Sequence, residues 1–176
     1  METLERWLKR IGLGGGLVLL ALYLVFLAWT LPSHELVHVT GTETRRGDVE
    51  TREGEIRAMD VRYVMAEDLE GAPRMYRNED TGWGWPPYFK FDSGNVAAQA
   101  KSFSINPEKP TVKLTSYGFR IPMFSAFPNV LDMERVEPGT RPIPWLTLAI
   151  GLLHVILVGA VVAISLGRKR AREEGV

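Results

Sequence analysis

The chain has no cysteine. That excludes disulfides, thiolate zinc sites, iron–sulfur ligation and cysteine nucleophiles together. Histidine is scarce as well: His34, His38 and His154 are the whole supply of imidazole. No nucleophile elbow, phosphate-binding glycine loop or zinc-helix motif occurs, which leaves catalysis without a recognisable starting point. Charge is missing from two long stretches, Ile11–Leu31 and Ile143–Leu166, neither of which holds an Asp, Glu, Lys or Arg.

Those two stretches set the expected architecture. More than twenty uncharged residues at 1.5 Å each make a helix of roughly 30 Å, the thickness of a bilayer core. The first run is too long for a cleaved signal peptide, and Ala28-Trp29-Thr30 is a poor cleavage site. The fold class expected is therefore a membrane protein in which two transmembrane α-helices flank a small α+β domain. Arg6, Lys9 and Arg10 precede the first run, and Arg168, Lys169, Arg170 and Arg172 follow the second. By the positive-inside rule both termini are cytoplasmic, in the inner membrane of a bacterium. The expected divisions are a cytoplasmic N-terminus (1–10), helix one (11–31), a periplasmic domain (32–142), helix two (143–166) and a basic cytoplasmic tail (167–176).

Gly12 and Gly16 in the first run, and Gly159 and Ala163 in the second, repeat small residues four apart, a spacing that lets helices approach closely. The partner helix is either the other run of this chain or one from another subunit. His154 is the single ionisable side chain within either run apart from tyrosine. It is a candidate cofactor residue, able to ligate a haem or chlorophyll-type metal; the alternative is a hydrogen bond, for instance to Tyr23. No cofactor is otherwise implied.

The middle segment carries 14 Lys and Arg against 17 Asp and Glu, which argues against nucleic acid as a partner. Alternation predicts a strand at Leu36–Thr42, a loop or edge hairpin over the polar run Glu43–Arg57, and a strand at Met59–Ala66 with Val61, Tyr63 and Met65 on one face. Glu67–Pro73 turns into a strand at Arg74–Asn78, making a hairpin. Asn95–Phe103 has helical character, with Asp92 or Ser93 as its N-cap. Strands at Thr111–Phe119 and Val130–Val136 complete the order of three strands, one helix and two strands. That is the order of a five-stranded OB-type barrel; an irregular α+β sandwich is the alternative.

Two segments stand out as candidate partner-binding surfaces. Trp83, Trp85, Tyr88 and Phe89, followed by Phe91, are laced with Gly82, Gly84, Pro86 and Pro87. Such a stiff, ring-bearing loop either docks a protein or sugar or folds under as a cap on the core. Phe119, Ile121, Met123, Phe124 and Phe127 form a second apolar run in which Arg120 is the only charge. Exposed, it would contact a membrane surface or a partner protein. His34 and His38, four apart on a strand, lie too far from one another to share a metal. Glu79, Asp80 and Asp92 read as solvated surface.

The block Tyr76–Ser93, together with Tyr117-Gly118-Phe119-Arg120-Ile121-Pro122, Phe127-Pro128-Asn129 and Leu31-Pro32, resembles an uncharacterised family of alphaproteobacterial two-helix membrane proteins, a domain of unknown function. The resemblance implies one exported domain between two helices. It carries no activity, cofactor or catalytic residue, and His154 is not part of its pattern.

The function expected from the sequence is a non-catalytic accessory or scaffolding subunit of a larger membrane complex, photosynthetic or respiratory among the hosts, in contact with lipid. A membrane-tethered ligand-binding module is the alternative, with a pigment or haem carrier through His154 behind it.

Overall fold

Inward and outward side chains alternate along Val112–Tyr117: Val112, Leu114 and Ser116 are buried, while Lys113, Thr115 and Tyr117 lie on the other face. A strand with that pattern has one face for a core and one for the outside. The computed structural model, which describes residues 2–50 and 56–174, closes five such strands into a barrel. In chain order the elements are α1 (Glu2–Thr30), β1 (Ser33–Glu50), β2 (Ile56–Asp68), β3 (Pro73–Arg77), α2 (Ser93–Ser104), β4 (Val112–Tyr117), β5 (Asn129–Arg135) and α3 (Trp145–Glu174). The chain divides into two units, Met1–Pro142 and Ile143–Val176.

The strands run β1-β2-β3-β5-β4 around the barrel, and β4 pairs back onto β1. All pairings are antiparallel except β3 with β5, which meet at Arg77 and Asn129. The helix falls between the third and fourth strands, so the barrel reading holds and the sandwich does not. The core is Val37, Val39, Val64, Ala66, Tyr76, Val112, Leu114, Val130 and Met133 from the strands, with Val96 and Ala100 from α2. Val96, Ala100 and the partly buried Phe103 are four and three residues apart, one stripe of the helix turned toward the barrel.

One local alternative is decided and one expectation changes. The polar stretch after Thr42 is the hairpin of the two alternatives: β1 pairs with β2 from Thr42↔Val64 out to Glu50↔Ile56, with residues 51–55 outside the described residues. Within β2 the inward face is Val64 and Ala66, whereas Tyr63 and Met65 point outward. Both faces of this strand carry apolar side chains, so alternation alone did not say which was inside. Tyr63 is occupied on its outer side by Phe127, edge-on at 6.0 Å, and by the Arg45 guanidinium at 5.6 Å from the ring centre.

The membrane expectation is corrected. Ile11–Leu31 and Ile143–Leu166 overlap α1 and α3, but among the described residues no helix is long and apolar enough to cross a membrane. The fold class with two transmembrane helices, the placement in a bacterial inner membrane with cytoplasmic termini, and the periplasmic assignment of 32–142 are therefore not supported. In their place stand, among the described residues, three α-helices and a closed five-stranded barrel. The side chains of Arg6, Lys9, Arg10, Gly12 and of the basic tail lie outside the described residues.

Candidate functional site

The loop between β3 and α2 is held from below by a buried cation. Lys90 is 5% exposed, and its Nζ donates to Asn78 Oδ1 at 2.7 Å and to the Val130 carbonyl at 2.6 Å. Burial pulls its pKa down from the usual lysine value to about 8; the nearby carboxylates of Asp80, Asp92 and Glu79 push the other way. Asn78 in turn donates from Nδ2 to the Ser93 carbonyl. The backbone closes around the same residue: Lys90 N–H donates to Thr81 Oγ1, and Gly82 N–H donates to the Lys90 carbonyl. The ends of the segment 81–90 are thereby tied together.

While Lys90 is directed inward, the residues on either side of it are exposed. Phe89 and Phe91 are both exposed, and each meets Trp83 edge-on, with ring centres 5.4 and 5.6 Å away. Trp83 itself is 84% exposed. Phe89 adopts φ 49°, a left-handed conformation that costs a non-glycine residue about 1–3 kcal/mol. The surrounding ties therefore hold these three rings in an arrangement that the free loop would not favour.

The other two aromatic residues of the loop turn to α1. Trp85 stacks on Phe26 with ring centres 5.7 Å apart and planes 15° from parallel. Tyr88 donates its hydroxyl to the Thr30 carbonyl and packs against Tyr117 at 5.1 Å. Burial, and then Tyr117, push the Tyr88 hydroxyl pKa up to about 12. Gly118 N–H donates to the Trp29 carbonyl at 3.0 Å, and the Trp29 ring meets Tyr117 edge-on. Helix ends leave carbonyls without intrahelical partners, and here the barrel supplies two of the missing donors. Gly118 has φ 99°, where a side chain would be strained.

Of the carboxylates flanking the loop, Asp80 and Glu79 have structural partners. Asp80 accepts Ser93 N–H at 2.8 Å and Ser93 Oγ–H at 2.9 Å, capping α2 in place of Asp92, which makes no side-chain cap bond. Glu79 pairs with Arg77 at 2.8 Å. His34 reaches Thr115 Oγ1 at 3.0 Å and His38 the Pro110 carbonyl at 3.2 Å, so each serves a separate strand contact. Among the described residues no group of His, Asp and Glu side chains could hold a metal ion.

The second apolar run forms a tight finger. Ile121 and Ala126 bridge, Pro122–Phe124 makes one 3-10 turn, and Met123 and Phe124 stand at the tip, 83% and 74% exposed. Phe119 and Ile121 are at the edge of exposure, and Phe127 folds back onto Tyr63. In α1, Gly16 has nothing within 4 Å of where a side chain would start, and in α3 the same is true of Gly159; Ala163 is exposed. His154, half-buried on α3, donates Nδ1–H to the Ile150 carbonyl of its own helix at 2.6 Å.

Sequence reasoning left five aromatic residues as either a docking surface or a cap, and the structure divides them by contact: Trp83, Phe89 and Phe91 meet one another, whereas Trp85, still 60% exposed, stacks on Phe26 and Tyr88 bonds Thr30 of α1. It also missed Lys90. The one available signal was the alternation Phe89-Lys90-Phe91, in which one of two faces had to be buried.

Residues 8–169 match the family model described as protein of unknown function (DUF1523), and the chain belongs to that family. An uncharacterized protein of Haemophilus influenzae is 30% identical over 119 residues, which cover 65% of this chain and 67% of that protein. No solved structure matches the chain.

Proposed function

We propose that this member of the DUF1523 family is a non-catalytic accessory or scaffolding subunit that docks onto a larger protein complex through its exposed aromatic loop. The observation that carries this reading is the trio Trp83, Phe89 and Phe91, displayed to solvent by a loop whose backbone and buried Lys90 hold it in place. Rings fixed before binding lose little conformational freedom on binding, and buried aromatic residues dominate the energy of most protein interfaces. The polar groups beneath the loop are spent on holding it, which suits a binding surface better than a reaction centre.

A ligand-binding module built on this loop would have Trp83 and Trp85 line one concave pocket. Their ring neighbours differ, Phe89 and Phe91 for the first and Phe26 for the second, and this favours docking.

Affinity capture of the tagged full chain from its native host, compared with Trp83→Ala and Phe91→Ala chains at equal expression, tests the proposal. One partner complex should co-elute with the native chain in fixed stoichiometry and be depleted with both variants. Recovery of the same proteins at the same ratios with all three chains would refute it.

A further inference from the structure

The segment from Asn78 to Gly94 holds three carboxylates, Glu79, Asp80 and Asp92, and a single basic residue, Lys90. The lysine is buried, and its ammonium group is turned to Asn78 and the Val130 carbonyl, so it offers no cation to the outer face of the loop. Asp80 is committed to the start of α2 and Glu79 to Arg77. The Arg62 guanidinium, which lines the cleft beside Asp80, donates to Ser93 Oγ at 3.4 Å. Asp92 is left over: it is exposed, makes no capping bond to α2 and forms no ion pair among the described residues.

Asp92 directly follows Phe91, which packs against the open Trp83 ring at 5.6 Å. A free carboxylate therefore stands at the rim of an exposed aromatic surface that shows no cation of its own. The face of an indole carries negative potential, the strongest among the aromatic side chains, so the ring and the carboxylate call for the same partner group, a cation. Arginine serves both at once. Its planar guanidinium lies flat on a ring while the N–H groups at its edge donate to a carboxylate, whereas a lysine ammonium is a compact point charge.

We propose that the aromatic trio receives an arginine side chain of the partner, with the guanidinium over Trp83 and its N–H groups donating to Asp92. This inference rests on the docking reading and adds the chemistry of the partner to it. A purely apolar or proline-rich segment would use the rings and leave Asp92 idle.

NMR titrations of the full chain with the Nα-acetyl amides of arginine, lysine and citrulline test it, read at the Trp83 indole N–H, which is identified by its absence from Trp83→Ala. Citrulline keeps the shape of arginine without the charge. Arginine should bind about five-fold tighter than citrulline, with lysine between them. Asp92→Asn, a change at an exposed side chain, should weaken arginine about three-fold and leave citrulline unchanged. No shift of the Trp83 resonance with arginine, equal affinity for arginine and citrulline, or an arginine affinity unaltered in Asp92→Asn would each overturn the proposal. Capture from the native host separates it from the reading on which it rests: the partner complex should be depleted with Asp92→Lys as it is with Trp83→Ala. Depletion with Trp83→Ala but not with Asp92→Lys would overturn the arginine site and leave docking in place, and undiminished capture with both would refute docking as well.

Discussion

Helices α2 and α1 treat their apolar side chains in opposite ways. The short α2 has few of them, yet Val96 and Ala100 are buried against the barrel. The much more apolar α1 leaves Leu17, Leu20, Leu22 and Leu24 more than half exposed, and touches the barrel through rings and backbone groups near its end. Burial follows from having a partner, not from hydrophobicity alone. The same contrast recurs inside one loop, where a lysine is buried and a tryptophan is out in solvent. That exposed surface is the observation on which the docking proposal rests.

The sharpest way to break the contrast is to put a carboxylate on each helix. Val96→Asp would bury a charge in the barrel with nothing to pair it, and should cost about 4 kcal/mol or more, a large part of a small domain's stability. Leu22→Asp, at a position 61% exposed, should shift the barrel's unfolding by no more than about 0.5 kcal/mol. Chemical denaturation of the purified variants measures both; equal losses would mean that α1 is packed as α2 is.

Next in size is the buried lysine. Its folded pKa, about 8, lies below the value of an unfolded lysine, so between these values the unfolded chain binds more protons and stability rises with pH. Denaturation midpoints should increase from pH 8 to pH 10, with a gain of about 2–3 kcal/mol from this group. Tyr76 and Tyr88 have pKa values raised by burial, so above pH 10 the folded chain holds more protons than the unfolded one and stability falls again. Lys90→Met should remove the rise and keep the fall. A rise that persists in that variant would place the titrating group elsewhere.

A smaller effect is expected where the barrel caps α1. Tyr88→Phe leaves the Thr30 carbonyl short of a donor and should cost about 1 kcal/mol locally. Hydrogen exchange at Gly118, whose N–H bonds the neighbouring Trp29 carbonyl, should accelerate about five-fold, while Leu114 in the core stays unchanged. Smallest of all is Trp83→Ala: with its ring 84% exposed, it should alter stability by less than about 0.5 kcal/mol. A larger loss would assign that ring to the core.

Much of the barrel was legible from the sequence because its strands obey a period of two around short turns. Asn95–Phe103 lies within Ser93–Ser104, and Val130–Val136 overlaps Asn129–Arg135. The inward face of β2 was not legible, since Phe127, more than sixty residues away, makes Tyr63 an outer contact. Nor was the cap on α2, because Asp80 reaches Ser93 only after the aromatic loop has closed. Lys90 was hidden for the same reason: its acceptors, Asn78 and Val130, come together only through the barrel. The membrane reading failed differently, by converting a run of uncharged residues directly into a span.

The central claim is that the Trp83 platform is covered in the native assembly. Hydroxyl-radical footprinting of the chain in gently lysed host cells and of the purified chain, read by mass spectrometry at Trp83, Phe89 and Phe91, tests it most directly. The account predicts that oxidation of these three residues falls several-fold in the native setting, with Leu69, exposed on the β2–β3 turn, reacting equally in both. Equal oxidation of Trp83 in the two settings would contradict it.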